Sequence, residues 1–225
     1  MTFSIAARCP ETGQLGIAVS SSSIAVGARC PWARSGVGAV SSQNITLPQL
    51  GPDILDALAQ GATPQQALKQ ALAGRDFSEY RQITVIDSRG ETAVFSGARS
   101  LGTWHEAQGR GCVAAGNMLA DTAVIDTLVS AFGQSRGPLA GRLVAALQAA
   151  LDKGGEAGPV HSAALKVVGG GYGWPIVDLR VDWADSDPIG QLAGLWDAYA
   201  PQMQDYITRA IDPRQAPGYG VPGDE

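Results

Sequence analysis

Charged residues are scarce in this chain of 225 residues. Only 16% of the residues are Asp, Glu, Lys or Arg, 45% are hydrophobic, and the formal net charge is −5. This composition is typical of a globular protein rather than a disordered one. Because the chain is acidic overall and has no basic cluster, we expect no nucleic-acid partner. The length allows one substantial hydrophobic core and does not require two.

Metal-ligating side chains are also few. The two histidines, His105 and His161, lie far apart in the sequence, and the three cysteines, Cys9, Cys30 and Cys112, lack the spacing of a metal site. We therefore expect no metal and no other cofactor. Three is also an odd number for a disulfide framework. Cys9 ends the first predicted strand and Cys112 opens an apolar one, so we expect these two thiols to be buried as small apolar groups.

Long apolar runs are absent as well. No run approaches the roughly 20 residues that a bilayer-spanning helix needs. The amino terminus lacks the basic region and apolar stretch of a signal peptide. We expect a cytoplasmic protein without a membrane partner.

Thr2 is the most informative residue that is present. Removal of Met1 would give Thr2 a free α-amine beside its own hydroxyl group. Such a pair can cleave amides, because the amine, with an ordinary pKa of roughly 7.7–8.0, can accept the hydroxyl proton while the oxygen attacks a carbonyl carbon. Threonine is also a common second residue without any function, so Thr2 alone does not decide between the two interpretations.

Short strands and helices follow Thr2 in groups. Apolar runs and turn residues predict strands at 3–8, 15–23, 37–43, 82–87, 91–96, 111–115, 162–168 and 176–181. Helical spacing and capping residues predict helices at 50–60, 65–73, 122–132, 139–151 and 189–210.

The order of these elements predicts the fold class. Strands grouped as hairpins and helices arriving in pairs do not give the alternation of a doubly wound parallel sheet. We predict an α+β fold, a four-layer αββα sandwich of two stacked antiparallel sheets with a pair of helices on each outer face. An α+β domain with a single sheet is the alternative. We expect one domain over residues 1–211 and a tail rich in Pro and Gly over residues 212–225.

Several short stretches together resemble one bacterial family. They are residues 2–8, 26–28, 31–34, 36–40, 80–82, 95–97, 116–119, 162–165 and 178–182. The family is the domain of unknown function 1028, placed among the folds of the N-terminal-nucleophile (Ntn) hydrolases, and the resemblance covers nearly the whole chain. It implies the αββα sandwich and, less specifically, a hydrolase of C–N amide bonds. The sequence departs from the family pattern at 44–48, 159–161 and 182–187, which bears on the substrate more than on the fold.

Two groups of residues are candidates to assist Thr2. A tetrahedral intermediate needs hydrogen-bond donors aimed at its oxyanion, and Asn117, at the end of an apolar strand, is the preferred side-chain donor. An Asn in an ordinary strand-to-helix turn is the competing interpretation. Ser21 and Ser22 lie on a strand expected next to the first one, where they can contact the amine or the substrate. Small residues that permit close sheet packing explain these serines equally simply.

Four further residues are candidates for substrate binding. Gln43 and Asn44 form the polar end of an apolar strand and are candidate pocket walls. Arg81 precedes another strand, where it can bind a substrate carboxylate bidentately or hold a buried acid such as Asp87. His105 is a candidate for proton transfer or substrate contact.

Three functional classes follow. The first is an amidohydrolase that uses Thr2 and an ester intermediate to cleave a small amide, with cyclic and carboxylate-bearing amides as the candidates. The second is a non-catalytic ligand-binding protein, and the third is a structural homo-oligomer assembled through its helical faces. Exposure of the Thr2 amine separates the first class from the other two.

Overall fold

The computed structural model describes residues 2–221. Met1, on whose removal the Thr2 hypothesis depends, and residues 222–225, the end of the predicted tail, lie outside the described residues. The strands are β1 (Thr2–Arg8), β2 (Leu15–Ser21), β3 (Pro31–Arg34), β4 (Gly38–Asn44), β5 (Arg81–Asp87), β6 (Thr92–Ser96), β7 (His105–Gly109), β8 (Cys112–Asn117), β9 (Ser162–Val168) and β10 (Val177–Val181). The α-helices are α1 (Leu50–Ala59), α2 (Pro64–Leu72), α3 (Ala123–Gln134), α4 (Leu139–Asp152), α5 (Pro188–Tyr199) and α6 (Met203–Ile211).

The strands form two antiparallel sheets that stack face to face. The large sheet has the order β10-β9-β2-β1-β8-β7, and the small sheet has the order β3-β4-β5-β6. The first strand, β1, lies centrally in the large sheet, with β2 on one side and β8 on the other. Both backbone edges of β1 are therefore covered, and the position of Thr2 is set by two neighbouring strands.

Helices cover the outer face of each sheet. The helices α1 and α2 pack on the small sheet, and α3 and α4 pack on the large sheet. The layer order αββα that we predicted is thus confirmed. A third helix, α5, joins α4 on the large sheet and covers β9 and β10, because two helices do not span six strands.

The pleat of β1 separates two cores. Phe3 and Ile5 belong to the core between the large sheet and its helices, while Ala6 packs with Ile17 and Ile86 between the two sheets. Because side chains alternate along a strand, Thr2, Ser4 and Ala6 share the face that looks toward the small sheet. This places Thr2 in the layer between the sheets.

Three local predictions were wrong. The predicted helix 189–210 is divided into α5 and α6 by a 3₁₀ turn, Ala200–Gln202, because Pro201 lacks the amide that would continue an α-helix. Residues 31–34, which were not predicted as a strand, form the edge strand β3, where Pro31 is tolerated. The strand β7 was not predicted, since HEAQG has no apolar alternation.

Other features bear on the predicted environment of the protein. Cys9 and Cys112 are buried as expected, with exposed fractions of 6% and 1%. No helix within residues 2–221 has both the length and the apolar character needed to cross a bilayer. In the same described range, no three His, Cys, Asp or Glu side chains are grouped as metal ligands.

Candidate active site at the amino-terminal end of the first strand

Thr2 lies in a buried, polar position at the start of β1. Its neighbours in the sheet are Ser21 on β2 and Asn117 on β8. Only 5% of Thr2 is exposed. A polar residue is thus flanked by two further polar residues at one end of an otherwise apolar sheet.

A chain of hydroxyl groups leads from Thr2 to the surface. The Oγ1 atom of Thr2 is 3.1 Å from the Oγ atom of Ser21, which in turn lies 2.9 Å from the Oγ atom of the exposed Ser23. The guanidinium group of Arg29 donates a hydrogen bond to Ser23 Oγ at 3.1 Å. Ser21 thus contacts the Thr2 hydroxyl group, and the chain ends at a cation; contact of the serines with the amine or the substrate stays a prediction.

Asn117 is oriented by the small sheet. Its Nδ2 donates to Gln82 Oε1 at 3.0 Å, whereas its Oδ1 is buried and has no hydrogen-bond partner among the described residues. The next residue, Met118, has a left-handed backbone with φ of 50°, so the chain turns sharply directly after Asn117. A buried amide oxygen without a partner is uncommon and destabilising, so its presence here calls for an explanation.

Beneath Thr2 a polar network joins the two sheets. Ser4 on β1 donates to Gln43 Oε1 at 2.6 Å, and Gln43 Nε2 donates to Gln82 Oε1 at 2.9 Å. Gln82 then donates to Ser96 and to the carbonyl of Gly116, both at 3.0 Å. Gln43 is fully buried in this network and supports the site from below, whereas we expected it to be a pocket wall.

Sequence reasoning missed one acid at this end of the sandwich, Glu156. It is 5% exposed, and its Oε2 accepts a hydrogen bond from the amide of Ser22 at 3.2 Å. The Oε1 atom of Glu156 is buried and accepts no hydrogen bond from the described residues. An isolated bridge to Leu119, just beyond β8, holds the backbone of Glu156 in place.

The position of Glu156 follows from the backbone of β2. The carbonyl of Ser21 accepts a hydrogen bond from His161, so the backbone groups of Ser21 point toward β9. Ser22 directly follows β2, so the carboxyl group that accepts from its amide lies at the end of β2 where Ser21 pairs with Thr2.

Burial gives Glu156 an unusual proton affinity. Desolvation raises the pKa of its carboxyl group to about 8, and the positive charge of the amino terminus and the hydrogen bonds from Ser22 oppose this shift only in part. In the sequence Glu156 stands in a loop between Gly155 and Ala157, without any motif around it. Only the bridge to the end of β8 brings it to Thr2.

Two of the predicted binding residues have structural partners. Asn44, with φ of 70°, donates to the carbonyl of Tyr80 at 2.6 Å and accepts from the amide of Leu101 at 3.3 Å. Arg81 donates to the carbonyl of Ile45, and its Nε atom is buried without a partner in the described part of the chain. The acid suggested for Arg81, Asp87, instead pairs with Arg89. Both residues lie at the same end of the sandwich as Thr2, and their roles toward a substrate remain predictions.

His105 is separated from Thr2 by the large sheet. Its Nε2 atom lies 3.2 Å from Asp126 Oδ1 on α3, which packs on the outer face. Thr2 faces the small sheet on the opposite side. The fold thus brings Ser21, Ser22 and Asn117 to Thr2 but does not bring His105.

Comparison with known proteins agrees with the fold and identifies the family. The model of the family of unknown function DUF1028 matches residues 2–192. The chain belongs to the DUF1028 family. The crystal structure of protein SPO2555 from Silicibacter pomeroyi, also assigned to DUF1028, is 31% identical, covers 91% of this chain and 89% of its own, and superposes with a TM-score of 0.85. No match was found among curated proteins.

More distant structures share little with this DUF1028 chain. Anbu (ancestral beta-subunit) from Yersinia bercovieri is 10% identical over 97% of this chain and 100% of its own, with a TM-score of 0.38. The Gly-1 mutant of Anbu from Hyphomicrobium sp. strain MC1 is 12% identical over 98% and 100%, with a TM-score of 0.40. Likenesses this low support no inference about activity.

The DUF1028 match contains every element of the candidate site. Thr2, Asn117 and Glu156 all fall within residues 2–192, whereas α6 and the tail fall outside.

Proposed function

We propose that this DUF1028 protein is an N-terminal-nucleophile amidohydrolase in which Thr2, freed by removal of Met1, attacks a small amide. The observation that carries this proposal is the position of Thr2 between Ser21 and Asn117, with its hydroxyl group 3.1 Å from Ser21 Oγ. A nucleophile, a hydroxyl partner and a side-chain amide are thereby held by three adjacent strands.

The proposal also requires the α-amine of Thr2 to act as the base, and the properties of Glu156 support this role. A free α-amine has an ordinary pKa of roughly 7.7–8.0, and burial brings the pKa of Glu156 to about 8. Because the two values are similar, a proton can pass between the carboxyl group and the amine at little free-energy cost. Glu156 thus acts as a positioning residue that holds the amine and regulates its protonation.

The chemistry divides into acylation and hydrolysis. In acylation the hydroxyl oxygen of Thr2 bonds to the amide carbon while its proton passes to the α-amine, and the Asn117 amide stabilises the oxyanion. Gln82 takes one of the two N–H groups of Asn117, and the other serves the oxyanion. The C–N bond then breaks, and the α-ammonium returns its proton to the leaving amine. A water molecule, deprotonated by the same amine, hydrolyses the Thr2 ester.

The surroundings of Thr2 favour a small substrate. Because only 5% of Thr2 is exposed, a folded polypeptide does not reach it without a rearrangement. The approach along Ser23 ends at the guanidinium group of Arg29, which suits a carboxylate-bearing amide. Cyclic amides with a carboxylate are the first candidates to assay.

Intact mass and covalent trapping test the proposal without knowledge of the substrate. Untagged protein should lack Met1, and a β-lactone probe should add its full mass by ring opening onto Thr2 Oγ1, with the lactone oxygen taking the proton. Thr2→Ala should abolish this adduct, whereas Thr208→Ala, on α6 and outside the site, should label at the wild-type rate. Retention of Met1, or equal labelling of Thr2→Ala, would refute the proposal.

The burial of Thr2 favours one alternative, a non-catalytic ligand-binding or structural protein that keeps the fold. This alternative predicts retained Met1, no lactone adduct and no hydrolysis. Assembly into a homo-oligomer is expected under either function, and sedimentation velocity of the untagged chain measures it.

A further inference from the structure

A second concave site lies at the opposite end of β1 from Thr2. It is a cleft of about 910 Å³ between the β1–β2, β5–β6 and β7–β8 turns and the helices α3 and α4. Five arginines line this cleft: Arg8, Arg89, Arg110, Arg136 and Arg142. We call it the arginine cleft.

Positive charge is concentrated in the arginine cleft against the trend of the whole protein. The chain has 16 basic and 21 acidic residues and a net charge of −5. Five of the basic residues line the cleft, whereas Glu11 is the one acid among its lining residues within the described range. An acidic protein therefore presents one strongly cationic concave surface, which attracts anions.

Neutral groups hold three of the arginines in place. Arg8 donates from Nε to the carbonyl of Ser88 at 2.7 Å, and Arg136 donates to the carbonyls at the end of α3. Arg142 donates to the hydroxyl of Ser135 at 3.2 Å. Carbonyl and hydroxyl partners orient a guanidinium group without cancelling its charge. These three guanidinium groups therefore keep a positive charge that can bind an anionic ligand.

The other two arginines differ in their partners. Arg89 forms ion pairs with Asp87 and Glu91, so its charge is largely balanced. Arg110 lies exposed in the turn between β7 and β8 and makes no hydrogen bond or ion pair with the residues that the structure describes. Arg110 is thus the most available cation of the cleft.

The floor of the arginine cleft is apolar. Cys112, Phe132 and Leu139 contribute to its lining, and each is almost fully buried. The guanidinium group of Arg142 lies 4.1 Å from the centroid of the Phe132 ring. Burial raises the pKa of the Cys112 thiol to about 11, so this sulfur is uncharged at neutral pH and does not repel an anion. Apolar carbon next to the cations lowers the local dielectric constant and strengthens attraction to an anion.

Glu11 is the carboxylate that already lines the arginine cleft. The pKa of Glu11 lies below its ordinary value, chiefly because the Cys9 thiol and then the backbone amide of Glu11 donate hydrogen bonds to it, with smaller contributions from the charges of Arg142 and Arg136. A ligand carboxylate or phosphate placed between these guanidinium groups would have the same attraction.

From these observations we infer that the arginine cleft binds a small organic anion, with a carboxylate or phosphate group on the arginines and an apolar body on the floor. Guanidinium groups bind both kinds of anion through paired hydrogen bonds. The site is separate from Thr2 and does not depend on the proposed hydrolase activity.

Calorimetric titration with phenyl phosphate and with benzoate tests this inference and distinguishes phosphate from carboxylate ligands. We expect either anion to bind the full chain, benzyl alcohol not to bind, and affinity to fall when NaCl is raised, because salt screens charge. Arg110→Gln should weaken binding by about 10- to 100-fold, the value of one hydrogen bond to a charged group. Arg142→Gln should weaken it at least as much.

Three controls decide the outcome. Arg214→Gln removes one exposed cation in the carboxyl-terminal segment and should leave binding unchanged. Thr2→Ala should also bind normally, so a failed hydrolase proposal leaves this one standing. Circular dichroism checks that Arg142→Gln is folded, and Arg110→Gln has no described contact to lose. No binding by the wild type at millimolar anion, or equal weakening in Arg214→Gln, would overturn the inference.

Discussion

The buried carboxyl group of Glu156 predicts an unusual dependence of stability on pH. Burial raises the pKa of Glu156 from an ordinary value of 4.5 to about 8 in the folded protein. The folded state therefore binds this proton more tightly than the unfolded state does. The stability that the proton provides is complete below pH 4.5 and is lost as the pH rises from 4.5 through 8.

The magnitude follows from the size of the shift. Each unit of pKa difference corresponds to about 1.4 kcal/mol, so the free energy of unfolding should fall by about 3 to 5 kcal/mol across this range. Glu156→Gln keeps an oxygen that accepts from the Ser22 amide but never ionises. We therefore expect the variant to match the wild type near pH 5 and to be more stable by about 3 kcal/mol near pH 8.

Urea denaturation at half-unit steps between pH 5 and pH 8 measures this difference. The matched control is Glu79→Gln, which neutralises an exposed carboxyl group and should follow the wild-type curve. Titrating groups that do not interact with Glu156 act equally in all three proteins and cancel in the comparison. If the curves of the wild type and Glu156→Gln stay parallel within about 0.5 kcal/mol, the carboxyl group is not held neutral by burial and the proposed role of Glu156 fails with it.

Three further predictions concern the network, the oxyanion and a helix cap. Gln82→Leu removes the fully buried side chain that joins Gln43 to Asn117. Because buried donors then lose their acceptor, the free energy of unfolding measured in urea should fall by about 3 kcal/mol. Gln148→Leu, on the surface of α4, should lower it by less than about 0.5 kcal/mol, and a similar loss in both variants would contradict the prediction. Asn117→Ala should slow β-lactone labelling of the protein that has lost Met1 by about 10²- to 10³-fold, because one donor to the oxyanion is removed, while the circular dichroism spectrum stays unchanged. An unchanged labelling rate would show that Asn117 is not part of the active site. Asp187→Ala should lower the free energy of unfolding in a thermal melt by about 1 kcal/mol, because the Asp187 carboxylate caps α5 by accepting a hydrogen bond from the Gly190 amide at 2.9 Å. Asp187→Asn, which keeps an accepting oxygen, should retain most of this stability.

Local signals predicted most of the secondary structure. Thr63 and Pro64 indicated the start of a helix, and α2 begins there with a reciprocal bond pair between Thr63 and Gln66. The hairpin of β1 and β2 follows from two apolar runs and the turn between them. These signals depend on residues within a few positions of one another, and for that reason they can be recognised without the fold.

Partners far apart in the chain were harder to predict. The network that joins Ser4, Gln43, Gln82 and Asn117 crosses between two sheets, and no spacing in the sequence indicates which buried amide meets which. His105 was a reasonable candidate by residue type, yet its strand faces α3. Side-chain direction in a sheet depends on register, and a register is a property of paired strands rather than of one segment.

The sequence by itself predicted the αββα layers and the candidacy of Thr2, because hydrophobic period, turn chemistry and a small second residue are local properties, and its resemblance in several short stretches indicated the family. Only the tertiary structure decided that β1 is central, that Asn117 and Ser21 flank Thr2, and that Glu156 lies beyond it. It also decided that arginines from several separate segments line one cleft at the other end of β1. The burial and the electrostatic environment of a side chain depend on which distant segments contact it, and these contacts are set by the packing of the whole chain.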